Sequence, residues 1–421
     1  MPTVQVQDRL RPSVKPPYRI PPMAEIAAMP RNGLKVVSTF SGCGGSCLGY
    51  TMAGYKVLWA NDFHPNARAS YQANFPDTIH DARSIREVKP EDILEATGLR
   101  RGELDLFDGS PPCQSFSSAG SKEKKWGKLS TYSDGTQQRN DDLFIEYARI
   151  LTGLQPRAFV AENVKGLTIG TAKGYLVEIV KMLKACGYKV DVRLLNAREL
   201  GVPQSRPRLI FIRVREDLGL SPDVPRKLPY SYTMADACPW LGGSTYVRTK
   251  HGYFDGDGRP CSTKEANPIT ASGGQRWSSE CLVPPGAAIP PAIVAKVGKN
   301  KHCSYIMDNA AKKHSETICA MVGPYAPGIV DGGIPHPDDV GIDEVDREIV
   351  LASGYLLKRI GPQAGKPRFF TILEVKRLCG FPDDFVLLGP RKERWARLGN
   401  AVVPPMAAAV GRALAEGVLL K

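Results

Sequence analysis

The 421-residue sequence has no CxxC pair among its ten cysteines, no run of about 18 apolar residues, and fewer acidic than basic side chains. Each shortage excludes something. With no paired cysteines and no secretory leader, a disulfide scaffold is not expected, and a reducing cytosol suits the free thiols. Only His302, Cys303, His314 and Cys319 cluster at all; their spacing fits no common zinc template, so no metal is expected. The most apolar stretch, Ala401 to Leu420, is broken by Pro404, Pro405, Arg412 and Glu416, which argues for a soluble chain with no membrane partner. The acidic deficit, 43 against 56 Lys and Arg, leaves a formal charge of +13 that suits a polyanion, and nucleic acid is the expected partner.

What is present is globular: 42% hydrophobic residues over this length can bury a core and build two domains. Residues 1–32 are rich in Pro and Arg without periodicity and read as an extended arm. From residue 35, short apolar strands alternate with amphipathic helices, the pattern of a parallel sheet covered on both faces. KVVSTF at 35–40 reads as a strand, SGCGG at 41–45 as a tight turn, and 46–53 as a helix. Glycines there let a ligand approach the backbone at an open helix N-terminus. A second strand, KVLWAND, ends at Asp62, 20 residues after Gly42, the separation at which a carboxylate accepts ribose hydroxyls. Cys47 stands where a dinucleotide fingerprint needs its third glycine, so a phosphate-free adenosine cofactor fits better than NAD. HDAR at 80–83 adds another carboxylate near the sheet's carboxyl edge.

The strand ELDLFD at 103–108 runs into GSPPCQSFS, which puts Cys113 at the carboxyl end of a sheet strand, framed by Pro111 and Pro112. Methyltransferases acting on exocyclic amino groups resemble [DNS]-P-P-[YFW]; here the fourth residue is a thiol. Carbon 5 of a pyrimidine is too poor a nucleophile to attack a sulfonium methyl unaided, but a thiolate added to carbon 6 makes it enamine-like. AFVA at 158–161 forms another strand ending in Glu162, a carboxyl able to protonate N3 of that adduct. In QSRPR at 204–208, Arg206 and Arg208 share one face: Arg206 can reach a cytosine carbonyl oxygen or a phosphate, Arg208 can pair with Glu162, and spacing does not assign the roles.

These segments, FSGCGG at 40–45, PPCQSFS at 111–117, ENV at 162–164, QSRPR at 204–208, RFFTILEVKRLCGFPDDF at 368–385 and LGNAVVPP at 398–405, closely resemble the ordered motifs of the cytosine-C5 DNA methyltransferase family. The resemblance implies an α/β fold: a Rossmann-like S-adenosylmethionine methyltransferase sheet with a smaller, irregular target-recognition domain. It implies a catalytic domain over 33–216, recognition over 217–366 and a return over 367–421. It further implies Cys113 as nucleophile, Glu162 on N3 and Arg206 on the base, supported by Arg208. The cofactor, leaving as S-adenosylhomocysteine, is expected against Phe40, Ser41, Gly42, Gly44, Gly45, Asp62 (ribose), Phe63, Asp81 (adenine amino group), Ala82, Pro112, Leu143, Asn400 and Ala401. Two departures stand out: Ala401 where Ser is usual, and Leu373 in place of the Arg of TxRE between Thr371 and Glu374.

A cytosine in duplex DNA must rotate out of the stack to be reached. Residues 115–140, polar and carrying Lys122, Lys124, Lys125 and Lys128, read as a mobile clamp. Arg248, Lys250, His251, Arg276 and Lys301 are candidate DNA contacts. One branch of the family modifies tRNA with a much shorter insertion, so the long segment here favours double-stranded DNA. The expected protein is a cytoplasmic, nucleoid-associated monomer, with room for a cognate restriction endonuclease; its target sequence is not legible.

Overall fold

The computed structural model describes residues 15–112, 129–131, 137–139, 143–170, 172–223, 225–241, 245–250, 253–254, 259–260, 266, 278–283 and 370–421. In chain order the first elements are α1 (Met23–Ala28), β1 (Lys35–Thr39), α2 (Gly45–Met52), β2 (Lys56–Asn61), α3 (Pro65–Asn74), β3 (Ile79–Asp81), α4 (Pro90–Thr97) and β4 (Leu106–Gly109). Two short strands, β5 (Leu129–Thr131) and β6 (Gln137–Arg139), precede α5 (Leu143–Leu154), β7 (Ala158–Val164), α6 (Ala172–Ala185), β8 (Asp191–Asn196) and β9 (Pro207–Val214). Then come α7 (Met234–Ala237), β10 (Thr245–Lys250), β11 (Tyr253–Phe254), β12 (Arg259–Pro260), β13 (Ser278–Val283), α8 (Ile372–Leu378), α9 (Arg391–Asn400) and α10 (Pro404–Leu414).

Seven strands form one sheet in the order β3-β2-β1-β4-β7-β9-β8. The first five run parallel, and β9 is antiparallel to both neighbours. Period-two alternation explains why both faces are covered. Val36, Leu106, Val160 and Ile210 point to one core, Val37, Phe107, Phe159 and Phe211 to the other. Each such side chain contributes about 1.5–3 kcal/mol by leaving water. Strand order reverses at β1, between β2 and β4, and in open α/β sheets that switch point opens a crevice for ligands.

The run Arg391–Leu419 is long and apolar enough to cross a membrane, but 67% of its most apolar window is buried inside the fold. It breaks at Ala401–Val403, where Pro404 starts α10, so two helices and not one continuous rod close the chain. Helix α2 lies against α10 at backbone distance: a Cβ on Gly45 would sit 2.3 Å from the Val402 carbonyl oxygen, and one on Gly49 2.4 Å from that of Pro404. Only glycine allows this approach.

Three sequence expectations need correction. Residues 15–32 are not a loose arm: α1 buries Ile26, Tyr18 Oη donates to the Arg377 carbonyl at 2.7 Å, and the Met23 N–H donates to Asp384 at 3.1 Å. Proline spacing hid one apolar turn that the core captures. Packing also continues past 217, since Tyr232, Met234, Ala237, Cys238 and Leu241 are buried; a capping box between Thr233 and Asp236 starts α7 there. Finally, the described part of the recognition segment is regular, with β10 pairing antiparallel to β11, β12 and β13. Of the candidate DNA contacts, Arg248 and Lys250 fall on β10, while His251, Arg276 and Lys301 lie outside the described residues, as does the 302–319 cluster. The segment read as a clamp contains the β5–β6 antiparallel pair; its four lysines are outside the described residues.

Candidate active site

A cavity of about 330 Å³ opens at the carboxyl edge of the sheet where strand order reverses. Its walls come from the β1–α2 turn (Phe40 to Cys43, with Ser46), the end of β2 (Asn61 to His64), Ser110 to Pro112 after β4, Glu162 to Val164 at the end of β7, and the α9 end from Glu393 to Val402. Segments far apart in sequence meet here because parallel strands deliver their carboxyl ends to one edge.

The turn is held by its own backbone. Phe40 adopts φ 54°, a conformation costly for a non-glycine residue, at the point where the chain leaves β1. The Gly42 N–H donates to Asp62 Oδ2 and the His64 N–H to Asp62 Oδ1, both at 2.9 Å. The 20-residue spacing is thereby realised as a contact, and each Asp62 oxygen keeps a lone pair for a ligand hydroxyl. Burial pushes the Asp62 carboxyl above its ordinary range, opposed by those two N–H donors.

Beneath the turn, Asp108 is almost wholly buried and accepts from Ser38 Oγ at 2.7 Å, Ser46 Oγ at 2.7 Å and Tyr50 Oη at 3.0 Å. It ties β1 and α2 to the strand that runs into the Pro-Pro-Cys segment. Burial raises its pKa to about 6 against the pull of the three hydroxyls.

Cys113 itself lies outside the described residues. The proline frame before it is anchored: Asn163 Nδ2 donates to the Pro111 carbonyl at 3.1 Å, and both residues line the cavity beside Glu162. Glu162 is 8% exposed, and Arg208 Nε donates to its Oε1 at 2.7 Å. Burial pushes the Glu162 carboxyl above the usual range, with the Arg208 and Arg206 cations pulling the other way.

Of the residues read from sequence, Phe40, Ser41, Gly42, Asp62, Phe63, Pro112, Glu162, Asn400 and Ala401 meet at this cavity. Others do not. Arg206 is fully buried, and its Nη2 donates to the Gly399 and Ala401 carbonyls at 2.7 Å, so in this structure it braces the C-terminal return and does not face the cavity. Asp81 is held by the Arg83 guanidinium, 2.6 Å from Oδ2 to Nη2, and neither it nor Ala82 lines the wall. Leu143, the first residue of α5, is buried in the core, Gly44 caps α2, and Gly45 faces Val402. The QSRPR segment also receives the recognition segment: the Ser205 N–H donates to the Ala266 carbonyl at 2.9 Å.

Sequence reasoning missed Asn61, His64, Ile85, Asn163, Glu393 and Arg397 on the wall. Asn163 was within reach as the middle of ENV. Glu393 and Arg397, one helical turn apart, carried no motif. The two departures have local answers. Thr371 and Glu374 form a capping box that starts α8, and Glu374 Oε1 also accepts from Trp240 Nε1 at 2.7 Å; Ala401 leaves only a methyl group beside Gly45. Among the described residues no group of three or more His, Cys, Asp or Glu is placed to hold a metal ion.

A profile of the family described as C-5 cytosine-specific DNA methylase matches residues 34–416. The chain is 36% identical over 195 residues to the Type II methyltransferase M.NgoPII of Neisseria gonorrhoeae, a match covering 46% of this chain and 52% of that one. It spans about half the length of that relative, but most of M.XorII from Xanthomonas oryzae pv. oryzae, to which it is 26% identical over 405 residues, covering 89% and 83%. In fold it is similar to a DNA modification methyltransferase encoded within an E. coli prophage (TM-score 0.54, 20% identity, covering 92% and 100%) and to a Spodoptera frugiperda DNMT2 variant (TM-score 0.50, 18% identity, covering 91% and 99%).

Proposed function

The chain belongs to the C-5 cytosine-specific DNA methylase family, the DNA cytosine-5 methyltransferases, and on that premise we propose that it methylates cytosine in duplex DNA through a covalent adduct of Cys113. The observation that carries this reading is the shared cavity, which sets the buried Glu162 carboxyl beside the proline frame of Cys113 and the Asp62-anchored turn.

Family and fold imply S-adenosylmethionine, which supplies an electrophilic sulfonium methyl when bound. The residues present fit it: Asp62 retains acceptor capacity for ribose hydroxyls, and Phe40, Phe63 and Ile85 offer apolar surface to an adenine. Asn400 and Ala401 close the wall opposite the turn.

The substrate cytosine, rotated out of the duplex, presents carbon 6 to the Cys113 thiolate. As the sulfur–carbon bond forms, the ring electrons shift toward N3, which takes the Glu162 proton, and carbon 5 gains the electron density that captures the methyl. Loss of the carbon-5 proton to solvent, departure of the thiolate and return of the N3 proton to the Glu162 carboxylate restore both the ring and the acid. Glu162 must be protonated for the first step, which its burial favours. The length of the 217–366 segment favours duplex DNA over tRNA. Relatives named as Type II methyltransferases support a restriction–modification setting; a companion endonuclease and a cytoplasmic, nucleoid-associated location belong to the same proposal.

The test is direct. Cys113→Ala should abolish methylation while S-adenosylhomocysteine binding survives, and DNA carrying 5-fluorocytosine at the target should remain covalently attached to the wild-type protein alone. A fully active Cys113→Ala protein overturns the proposal. Bisulfite sequencing of DNA from expressing cells reads the target site.

A further inference from the structure

The wall facing the turn is one side of α9, where Glu393, Ala396, Arg397 and Asn400 line the cavity at helical spacing. Two of these are charged, and the chemistry above uses neither. Arg397 is 8% exposed. Its Nη1 donates to the Leu388 carbonyl at 2.7 Å and its Nη2 reaches Glu393 Oε2 at 3.3 Å, while its Nε is buried with no partner among the described residues. Glu393 is oriented by a second contact, from Asn66 Nδ2 on α3. A buried guanidinium with an unused N–H is costly unless a ligand completes it. Asp62 and Cys43 are the other ionisable groups near it, and Asp62 is already committed to the turn.

Resting on the cofactor reading above, we propose that Glu393 and Arg397 form a clamp for the zwitterionic amino-acid tail of the cofactor, Arg397 taking the carboxylate and Glu393 the ammonium. The carboxylate is the only anion in S-adenosylmethionine, and Arg397 is the only Lys or Arg lining this cavity among the described residues. An acceptor and a donor side by side on one helix face match the two ends of an α-amino acid. Asp62 on the opposite wall is left for the neutral ribose hydroxyls, so the cavity reads the two halves of the cofactor with groups of different charge.

The test measures binding of S-adenosylhomocysteine and of 5′-methylthioadenosine, which lacks the tail, by calorimetry on the full-length protein and its Arg397→Gln, Arg397→Lys and Glu393→Gln variants. Wild type should prefer S-adenosylhomocysteine strongly. Arg397→Gln should weaken it by about 10–100-fold, the loss expected for one charge-assisted hydrogen-bond pair, while 5′-methylthioadenosine stays within about twofold. Arg397→Lys should recover part of the loss, and Glu393→Gln should show the same selective effect if Arg397→Gln fails to fold. Equal losses for both nucleosides, or none, overturn the clamp and leave the cofactor reading standing. A wild-type protein that binds neither nucleoside overturns the cofactor reading itself.

Discussion

Arg208 Nε donates to Glu162 Oε1 across 2.7 Å, with both side chains largely buried. The pairing follows from strand register: Arg208 on β9 stands opposite Val164 on β7, so Glu162, two residues back on the same face, is its diagonal neighbour. The contact holds the carboxyl at the cavity and sets two opposed influences on its proton, burial raising its affinity and the guanidinium lowering it.

Replacing Arg208 with Met should therefore leave burial opposed only by the Arg206 cation and raise the Glu162 pKa further. The acid stays protonated to higher pH, so the alkaline limb of the kcat profile should move upward. Glu162→Gln should lower kcat by about 10²–10⁴ with little change in S-adenosylhomocysteine affinity. An alkaline limb in Arg208→Met identical to wild type would remove Glu162 from the acid role.

Asp108 makes a stability prediction. Its folded pKa, about 6, lies above the ordinary 3.8, so between those values the folded state holds more protons than the unfolded chain. Its contribution is full below about pH 4 and is lost as pH rises through about 6, a change of about 3 kcal/mol for a shift of this size. Asp108→Asn cannot titrate, so its stability relative to wild type should improve from pH 4 to pH 7 in denaturant titrations. A difference that stays constant across that range would refute the assignment.

The close approach of α2 to the C-terminal return predicts two unlike outcomes for one kind of substitution. Gly45→Ala places a methyl group against Val402 and Ala401, both on the cavity wall, and should cost about 1–3 kcal/mol of stability while weakening cofactor binding. Gly49→Ala meets Pro404 and Ala407, which do not line the cavity, and should cost stability with less effect on binding. Thermal melts and calorimetry on both variants separate the two effects; a Gly45→Ala protein as stable as wild type would contradict the packing.

Much of the site was legible because its chemistry lies in short segments at strand ends. Phe40, Asp62, Pro112, Glu162 and Asn400 come from five segments, and the parallel sheet that brings them to one cavity follows from the alternation of strands and helices. Arg206 stays off the cavity wall for a physical reason: alternation puts it on the same face as Arg208, but only packing shows that the C-terminal return covers that end of the strand and takes up the guanidinium. Asp81 was drawn away by Arg83, two residues on, a local pairing that competes with any ligand.

The sequence by itself determined the class of chemistry, since a thiol after two prolines, a carboxyl ending a strand and a glycine turn 20 residues before an aspartate are covalent facts that survive any packing. Tertiary structure alone decided which charges face the cavity. The α9 pair of Glu393 and Arg397 joins the wall only because α2, stripped of side chains at Gly45 and Gly49, lets the C-terminal return press against it. That approach depends on distances between segments more than 350 residues apart, and no local pattern encodes it.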